Sequence, residues 1–494
     1  MEHLIKHYDL IVIGGGPAGT PVAIEFTKLN SDKSVALVDV SGELGGECLF
    51  DGCIPSKIME ITAKQIRQIK DFEAFGISLD EGHYRLVWEK IVARKEEILT
   101  RRSSAAKDVL KGLDNVTLLK GKASFLEDDE LLVSFDDGSK ETLTFGRSVI
   151  ATGSKAFVPH YDGSGIEKAW TNEDFFERME LPESMTVIGD GPIAIEFAQI
   201  LSTLGTKINL IGRKAEILKH IDAPFAADLL EVLKNDPNIN LILQASISKI
   251  DYNDKDHFEV SYTQDAQEKK IGSERLLVAT GRTPNIASLN LEKVGVTHSK
   301  GGIKTNASLQ TSNPKIFANG DVVDGFPRFA HTAQYGAHTL AQNLFLEHNL
   351  FKVDYDKNSW VLFSEPNIAM AGLSEVEVKK RGLDVIIDHY DFSIDAKSQI
   401  EGHDSGKLQY IVDKKSHIIL GITIMTNEAN AIAGEAALIV ANKLTLNNLI
   451  STIHPHPTLS ESFSVLAKQM MGKIMIEKLK NPLMKGLLEV ERFL

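Results

Sequence analysis

The sequence predicts an α/β protein with two nucleotide-binding βαβ units and a third domain of different character, and three observations carry that expectation. A short apolar strand, a glycine-rich turn and a helix-period run follow one another over residues 8–30. The same order returns over residues 185–212. From about Asp354 the pattern changes to alternating strands with two helical stretches and no phosphate-type loop. A length of 494 residues agrees with three domains at roughly 150 residues each.

In the first unit the strand ends at Ile13, and the turn Gly14-Gly15-Gly16-Pro17-Ala18-Gly19 leads into a helix over 22–29. A second strand, 34–38, ends in Asp39, 25 residues beyond Gly14. Glycines at 14, 16 and 19 suit a tight turn, close backbone approach to a pyrophosphate and close helix packing, and Asp39 stands where an acid holds ribose hydroxyls. The bland alternative is an ordinary α/β turn with a surface aspartate. Helices are expected over 54–69 and 88–111, then antiparallel strands up to Val149. The second unit has a strand at 186–188, the turn Gly189-Asp190-Gly191, a helix at 193–204 and a strand at 207–211. Its third turn position is Ala194, and Arg213, with Lys219 six residues later, stands where an NAD-selecting acid would be. Each unit closes on a similar apolar run, 149–153 in one and 277–281 in the other.

Lys and Arg number 54 against 68 Asp and Glu, a net charge of −14, so no nucleic-acid partner is expected. With 43% hydrophobic and 25% charged residues the chain can bury a large core. Residues 1–7 are polar and the apolar run 10–13 is too short for a signal core or a membrane span. Two cysteines are too few to staple a secreted chain of this size, so a cytoplasmic location is expected. Both cysteines lie in Gly45-Gly46-Glu47-Cys48-Leu49-Phe50-Asp51-Gly52-Cys53-Ile54-Pro55-Ser56-Lys57. Five residues apart at the start of a predicted helix, they reach disulfide range if the first turn is distorted, which Gly52 allows, and a helix N-terminus also favours a thiolate. A pair of unrelated buried thiols is the alternative, and a metal site would need ligands beyond these two. Near the C-terminus His456 and Glu461 supply an imidazole and a carboxylate, as a general base oriented by an acid requires. Two histidines beside prolines also suit a rigid surface turn, and His454 has no assigned role.

With Ala151-Thr152-Gly153, Ala279-Thr280-Gly281-Arg282, Ala318-Asn319-Gly320-Asp321 and the run from His454 to Glu461 in the same order, the cysteine segment resembles the pyridine nucleotide-disulfide oxidoreductase family over nearly the whole chain. The resemblance implies two Rossmann-like nucleotide-binding domains, an FAD domain over 1–154 and 282–354 and an NAD(P) domain over 155–281, plus a C-terminal α+β interface domain over 355–494 with a helical tail. It implies a redox-active Cys48–Cys53 pair, with Cys48 as the interchange thiol that meets a disulfide or dithiol substrate and Cys53 as the thiol nearer the flavin. Lys57 matches a flavin-contacting lysine, Glu196 the glutamate that pairs with it, and Asp321 the aspartate on the FAD ribityl chain. Gly46, Thr152, Gly153, Gly281, Arg282 and Gly320 fall in the motifs that line the cofactors. His456 and Glu461 would act across the interface of a homodimer.

Within the family, His-Pro-Thr-Leu-Ser-Glu is more similar to lipoamide dehydrogenases than to glutathione reductases, and Ile24 and Glu25 stand where glutathione reductases carry arginines. The C-terminal cysteine pair of mercuric reductases is missing. A lipoyl group or another small dithiol or disulfide is therefore the expected substrate. Arg213 and Lys219 resemble a basic pair aimed at a 2′-phosphate, which favours NADP(H) and keeps an NADPH-dependent disulfide reductase with another acceptor as the alternative. A flavin-bound sensor without turnover is a more remote one. Glu47, Phe50 and Asp51 replace the usual threonine and Asn-Val pair, and the added carboxylates are expected to raise the Cys53 thiol. Residues 468–494, with six basic and three acidic side chains, read as a helical tail packed on the dimer, with membrane contact the lesser alternative.

Overall fold

Apolar runs without polar alternation, such as 10–13 and 35–38, require strands buried on both faces, and the computed structural model shows why. It describes residues 5–78, 84–253, 255, 257–403 and 405–480. Two compact units result, Met1–Ala215 with Asn238–Tyr355, and Glu216–Pro237 with Asp356–Leu494.

The first unit opens β1 (Lys6–Ile13), α1 (Thr20–Leu29), β2 (Val35–Asp39), α2 (Gly46–Phe50), α3 (Cys53–Asp71), α4 (Trp88–Lys111), β3 (Val116–Lys120), β4 (Lys122–Glu127), β5 (Glu130–Ser134) and β6 (Lys140–Ile150). The sheet runs β3-β2-β1-β6-β5-β4, parallel through the first four strands and antiparallel beyond. Its two faces divide β1 by the two-residue period of a strand. Leu10 and Val12 pack with Val22 and Phe26 of α1, while Ile11 and Ile13 pack with Phe125, Phe145 and Ile150.

The chain then forms β7 (Ser154–Ala156), α5 (Asn172–Arg178), β8 (Ser184–Ile188), α6 (Pro192–Thr203) and β9 (Lys207–Ile211). After α7 (Ala223–Asn235) come β10 (Ile239–Ile242), β11 (Ser246–Tyr252), β12 (Phe258–Gln264), β13 (Gln267–Ser273), β14 (Arg275–Val278) and β15 (Arg282–Pro284). The parallel sheet β10-β9-β8-β14 shares a core with the antiparallel β11-β12-β13 through Ile188, Ile211, Val278, Phe258 and Val260. Strand β15 pairs with β7, Arg282 opposite Ala156 and Pro284 opposite Ser154. The short β16 (His298–Ser299) and β17 (Gly302–Ile303) precede β18 (Ile316–Ala318), which joins the first sheet next to β6, and α8 (Ala330–Leu346) follows.

The second unit holds β19 (Ser359–Leu362), β20 (Asn367–Gly372), α9 (Glu375–Arg381), β21 (Val385–Asp391), α10 (Ala396–Ile400), β22 (Lys407–Asp413), β23 (Ile419–Thr426), α11 (Ala429–Ala441), α12 (Leu446–Ser451) and α13 (Glu461–Leu479). Its antiparallel sheet runs β19-β20-β23-β22-β21, and α11, α12 and α13 supply Ile439, Leu449, Phe463 and Leu466 to the core around Tyr410 and Ile424. Where the sequence suggests two helical stretches, the described residues from Asp356 onward form five helices, most of them short. Helix α7 belongs to this unit because of Asp222, which precedes it. That buried carboxylate accepts hydrogen bonds from the Glu375 amide at 2.8 Å, from Gln409 Nε2 at 2.8 Å and from Thr423 Oγ1 at 3.3 Å. The expected tail begins inside α13, where Met470 and Ile474 are buried in the core of the unit. Its remainder, 481–494, lies outside the described residues.

The first glycine of the N-terminal turn tests this framework. Gly14 has φ +113°, and a Cβ there would lie 2.3 Å from the Ala151 carbonyl oxygen. Gly14→Ala is expected to cost about 1–3 kcal/mol in backbone strain, read as a lower thermal midpoint. A wild-type midpoint would contradict the close packing of β1 on β6.

Candidate active site

The first turn keeps its amides available. Helix α1 begins after Gly19 with no side-chain cap, and the only atom near a Cβ built on Gly16 is the Gly46 Cα, 3.8 Å away. Asp39 supports the turn directly, with Oδ2 accepting from the Gly15 amide at 2.7 Å and Oδ1 from the Ser41 amide and hydroxyl at 2.8 and 2.6 Å. Its carboxylate has lone pairs left for ribose hydroxyls. Thr152 donates from Oγ1 to the Asn285 carbonyl at 2.7 Å, Gly153 faces open space, and Gly320 lies against Ala18 of the turn. In the second turn Gly189 packs on the Ala279 carbonyl, whereas Gly191, the uncapped start of α6, has nothing within 4 Å of a built Cβ. Gly281 is equally open. Both cradles therefore fit the pyrophosphate of a dinucleotide. Arg213 is exposed just after β9, while Lys219 falls in the other compact unit.

The cysteine segment breaks into two helices at Asp51 and Gly52, so Cys48 sits on the short α2 and Cys53 is the first residue of α3. Both are free thiols that hydrogen-bond one another. The pair is asymmetric. The bond from Cys48 lowers the Cys53 thiol, helped by the Lys57 ammonium and by the amide at the helix N-terminus, and the same sharing pushes Cys48 up together with burial. One turn along α3, Lys57 Nζ donates to Glu196 Oε2 on α6 at 2.6 Å, so the residues expected to pair do so.

The two added carboxylates behave differently from the expectation that they raise Cys53. Neither is among the main influences on it, which lower it on balance. Glu47 is paired with Arg282, and its Oε1 accepts from Asn172 Nδ2 at 2.9 Å. The Arg282 Nε donates to Ser154 Oγ at 2.7 Å, and Ser154 Oγ in turn donates to Asp321 Oδ2 at 2.6 Å. Asn172 also donates to the Asp51 carbonyl at 2.8 Å, tying α5 to the break between the thiols. Sequence reading assigns no partner to Glu47 and passes over Ser154 and Asn172; no local signal joins side chains as much as 235 residues apart. Asp51 itself takes up the effect. Burial, with the nearby carboxylates of Glu173 and Glu47, raises its carboxyl to about 6.

In the second unit the turn before α13 presents His456, whose Nδ1 donates to the Glu461 carboxylate at 3.0 Å. Glu461 also accepts from the Thr458 amide at 3.1 Å, and these bonds hold its carboxyl below the usual range. With Nδ1 so engaged, Nε2 is the ring atom left to take a proton. His456 is 72% exposed. Among the described residues there is no group of His, Cys, Asp and Glu able to hold a metal ion, and no helix is long and apolar enough to cross a membrane.

These cradles, thiols and imidazole define a nucleotide-dependent disulfide oxidoreductase, and comparison with known proteins agrees. Residues 8–337 match the family model described as pyridine nucleotide-disulphide oxidoreductase, and residues 358–467 match the dimerisation domain of the same family. The chain belongs to that family and is an oxidoreductase that uses FAD and a pyridine nucleotide, as its motifs imply. It is 31% identical to a dihydrolipoyl dehydrogenase of Buchnera aphidicola (subsp. Acyrthosiphon pisum), over 94% of this chain and 96% of that protein. It is 32% identical to a dihydrolipoyl dehydrogenase of Thermus scotoductus, over 94% and 97% of the two chains. A mercuric reductase of Staphylococcus aureus is 31% identical over 93% of this chain and 82% of its own.

The raised Asp51 carboxyl has a measurable consequence. With a folded value of about 6 against an ordinary 3.8, the native state holds this proton more tightly than the unfolded chain, so stability falls as pH rises through that window. Asp51→Asn is therefore expected to raise the melting temperature of the holoenzyme by a few degrees at pH 8 and to change it far less near pH 3.5, where the folded state is protonated and the unfolded state mostly so. An equal effect at the two pH values would refute the assignment.

Proposed function

We propose that this protein is a homodimeric dihydrolipoamide dehydrogenase-like enzyme of the cytosol, in which each thiol pair works with the histidine–glutamate pair of the other subunit. The observation that carries the reading is the asymmetric Cys48–Cys53 pair beside Lys57–Glu196, in a chain that also holds His456 on Glu461. FAD and nicotinamide, when bound, supply the two-electron relay to and from the thiols. The glycine turns and Asp39 hold one dinucleotide and the turn at Gly189 and Gly191 the other. FAD, when bound, would be held by Gly46, Lys57, Thr152, Gly153, Gly320 and Asp321, and Gly281 and Arg282 would serve the second nucleotide unit.

The residues of the chain divide the exchange between them. One substrate thiol, deprotonated by His456 Nε2, attacks the Sγ of Cys48 in a Cys48–Cys53 disulfide. The disulfide bond breaks and a mixed disulfide forms, leaving Cys53 as thiolate, stabilised by Lys57 and the α3 N-terminus. The second substrate thiol then displaces Cys48, so the dithiol is oxidised and the protein pair reduced by two electrons. Glu461 holds the imidazole tautomer and stabilises its protonated form.

A lipoyl substrate is supported by the dihydrolipoyl dehydrogenase relatives and by Glu25 on α1, an acid bonded to His338 Nδ1 at 2.9 Å where a peptide carboxylate would call for a cation. Arg213 supports the second reading, an NADPH-dependent reductase of another disulfide, because an exposed guanidinium at this strand end suits a 2′-phosphate.

The deciding experiment is the anaerobic reaction of the holoenzyme with dihydrolipoamide, following reduction of NAD and of NADP in parallel. Rapid turnover with either nucleotide is expected, and its absence in a protein whose flavin NADPH still reduces would favour the second reading. If Arg213 selects the phosphate, Arg213→Ala raises KM for NADP(H) on the order of tenfold to a hundredfold, the loss of one charge-assisted contact, and leaves NAD(H) kinetics unchanged. Equal effects on both nucleotides would remove Arg213 from coenzyme selection.

A further inference from the structure

The turn that presents His456 is thinly anchored. Residues 453–457 include Pro455 and Pro457, which have no amide to donate, and the bonds of Thr458 go to Pro455 and Glu461 within the same stretch. Among the described residues, a single hydrogen bond ties 453–460 to an element other than the flanking α12 and α13. It joins His454 Nε2 to Glu435 Oε1 on α11 at 2.9 Å. The imidazole of His454 is only 6% exposed, between Ile453 at 96% and the open His456. With Nε2–H donating to the carboxylate, Nδ1 is an acceptor, and it is buried with no partner among the described residues.

That arrangement is a poor one for stability alone. A buried acceptor without a donor is destabilising, whereas an apolar side chain of similar volume would fill the space without that cost. What the imidazole does provide is a directional tether two residues before the proposed base. The groups facing this cluster are Glu435 on α11, His456 on the turn, Glu461 on α13, Tyr410 on β22 beside Glu435, and Tyr390 on β21 beside Glu461.

We propose that His454 is a positioning residue: bonded to Glu435, it fixes the turn from α11 and so sets where His456 stands relative to a substrate thiol. The proposal rests on the reading of His456 as the base. It predicts a catalytic effect that leaves reduction of the flavin intact, because the tether touches neither nucleotide turn nor thiol.

The test compares holoenzyme His454→Ala, His454→Gln, Glu435→Ala and His456→Gln. Each is assayed for lipoamide-linked turnover across pH and for NAD(P)H-dependent reduction of ferricyanide, which draws electrons from the flavin without needing the base. In His454→Ala, kcat with lipoamide should fall on the order of tenfold to a hundredfold, as misplacement of a reacting group does. KM should change little and the pH profile of kcat should shift. Ferricyanide reduction should stay within about twofold, since a misplaced base slows only the step that it must be oriented to perform. Glu435→Ala should reproduce the loss from the other end of the bond. His454→Gln, whose amide can still donate to Glu435, should recover most of the activity. If His454→Ala does not fold, the Glu435→Ala and His454→Gln pair carries the same comparison. Full lipoamide turnover in His454→Ala or Glu435→Ala, with His456→Gln inactive, overturns the proposal alone, as does His454→Gln being as impaired as His454→Ala. Full turnover in His456→Gln overturns the base assignment and this proposal with it.

Discussion

The chemistry of the first compact unit depends on one close approach, the backbone of the phosphate-type turn lying against the backbone of the cysteine segment. The Gly45 amide donates to the Gly15 carbonyl at 2.8 Å, and a Cβ on Gly46 would stand 2.8 Å from the Gly16 Cα. Any side chain at Gly46 would pry the two segments apart. Because they touch, a turn suited to a pyrophosphate and a pair of thiols share one rigid frame, so a bound dinucleotide and the redox pair are placed by the same contact. The sheet beneath exists to hold that contact still, with β1 and β2 buried on both faces and in parallel register from Leu10 opposite Val35 to Ile13 opposite Val38.

Around the thiols, charge is arranged so that each ionised group is answered locally. Lys57 has Glu196, and Glu47 has Arg282, which also reaches toward Asp321 through Ser154. Glu47 is bonded to Arg282, and it is not among the groups that most affect Cys53 even though it adjoins Cys48 in sequence. Asp51 is the exception. Its carboxyl makes no hydrogen bond among the described residues, and burial together with Glu173 and Glu47 raises it to about 6, so it ionises at a higher pH than an ordinary carboxyl. A purely local count of acidic residues overstates the repulsion, because it omits the cation that tertiary structure brings in.

That difference also explains what could be read in the sequence. The βαβ units, the break at Gly52, the pairing of Lys57 with Glu196 and the His456–Glu461 pair are all carried by local order and spacing or by a family resemblance over nearly the whole chain. The Glu47–Arg282 bond, with its bridge through Ser154, joins side chains from opposite ends of the first unit and leaves no mark on hydrophobic period or turn chemistry. The grouping of α7 with the C-terminal sheet is equally silent, since it follows from the burial of one carboxylate, Asp222, among Gln409, Thr423 and the Glu375 amide. Helix boundaries in the C-terminal unit are blurred in the sequence because α9, α10 and α12 are too short to show a period of their own.

Coenzyme and substrate signals that pull in different directions need not conflict. Arg213, proposed to address the ribose end of the nicotinamide nucleotide, sits just after β9 in the first compact unit, whereas His456, proposed as the base, sits on a turn of the second. No hydrogen bond or ion pair among those described links Arg213 to His456 or Glu461, so each can vary without disturbing the other. Function in such a protein resides in separate sites carried by one fold. A guanidinium suited to a 2′-phosphate and a histidine turn suited to a lipoyl dithiol are therefore physically compatible in the same chain, and neither is evidence against the other.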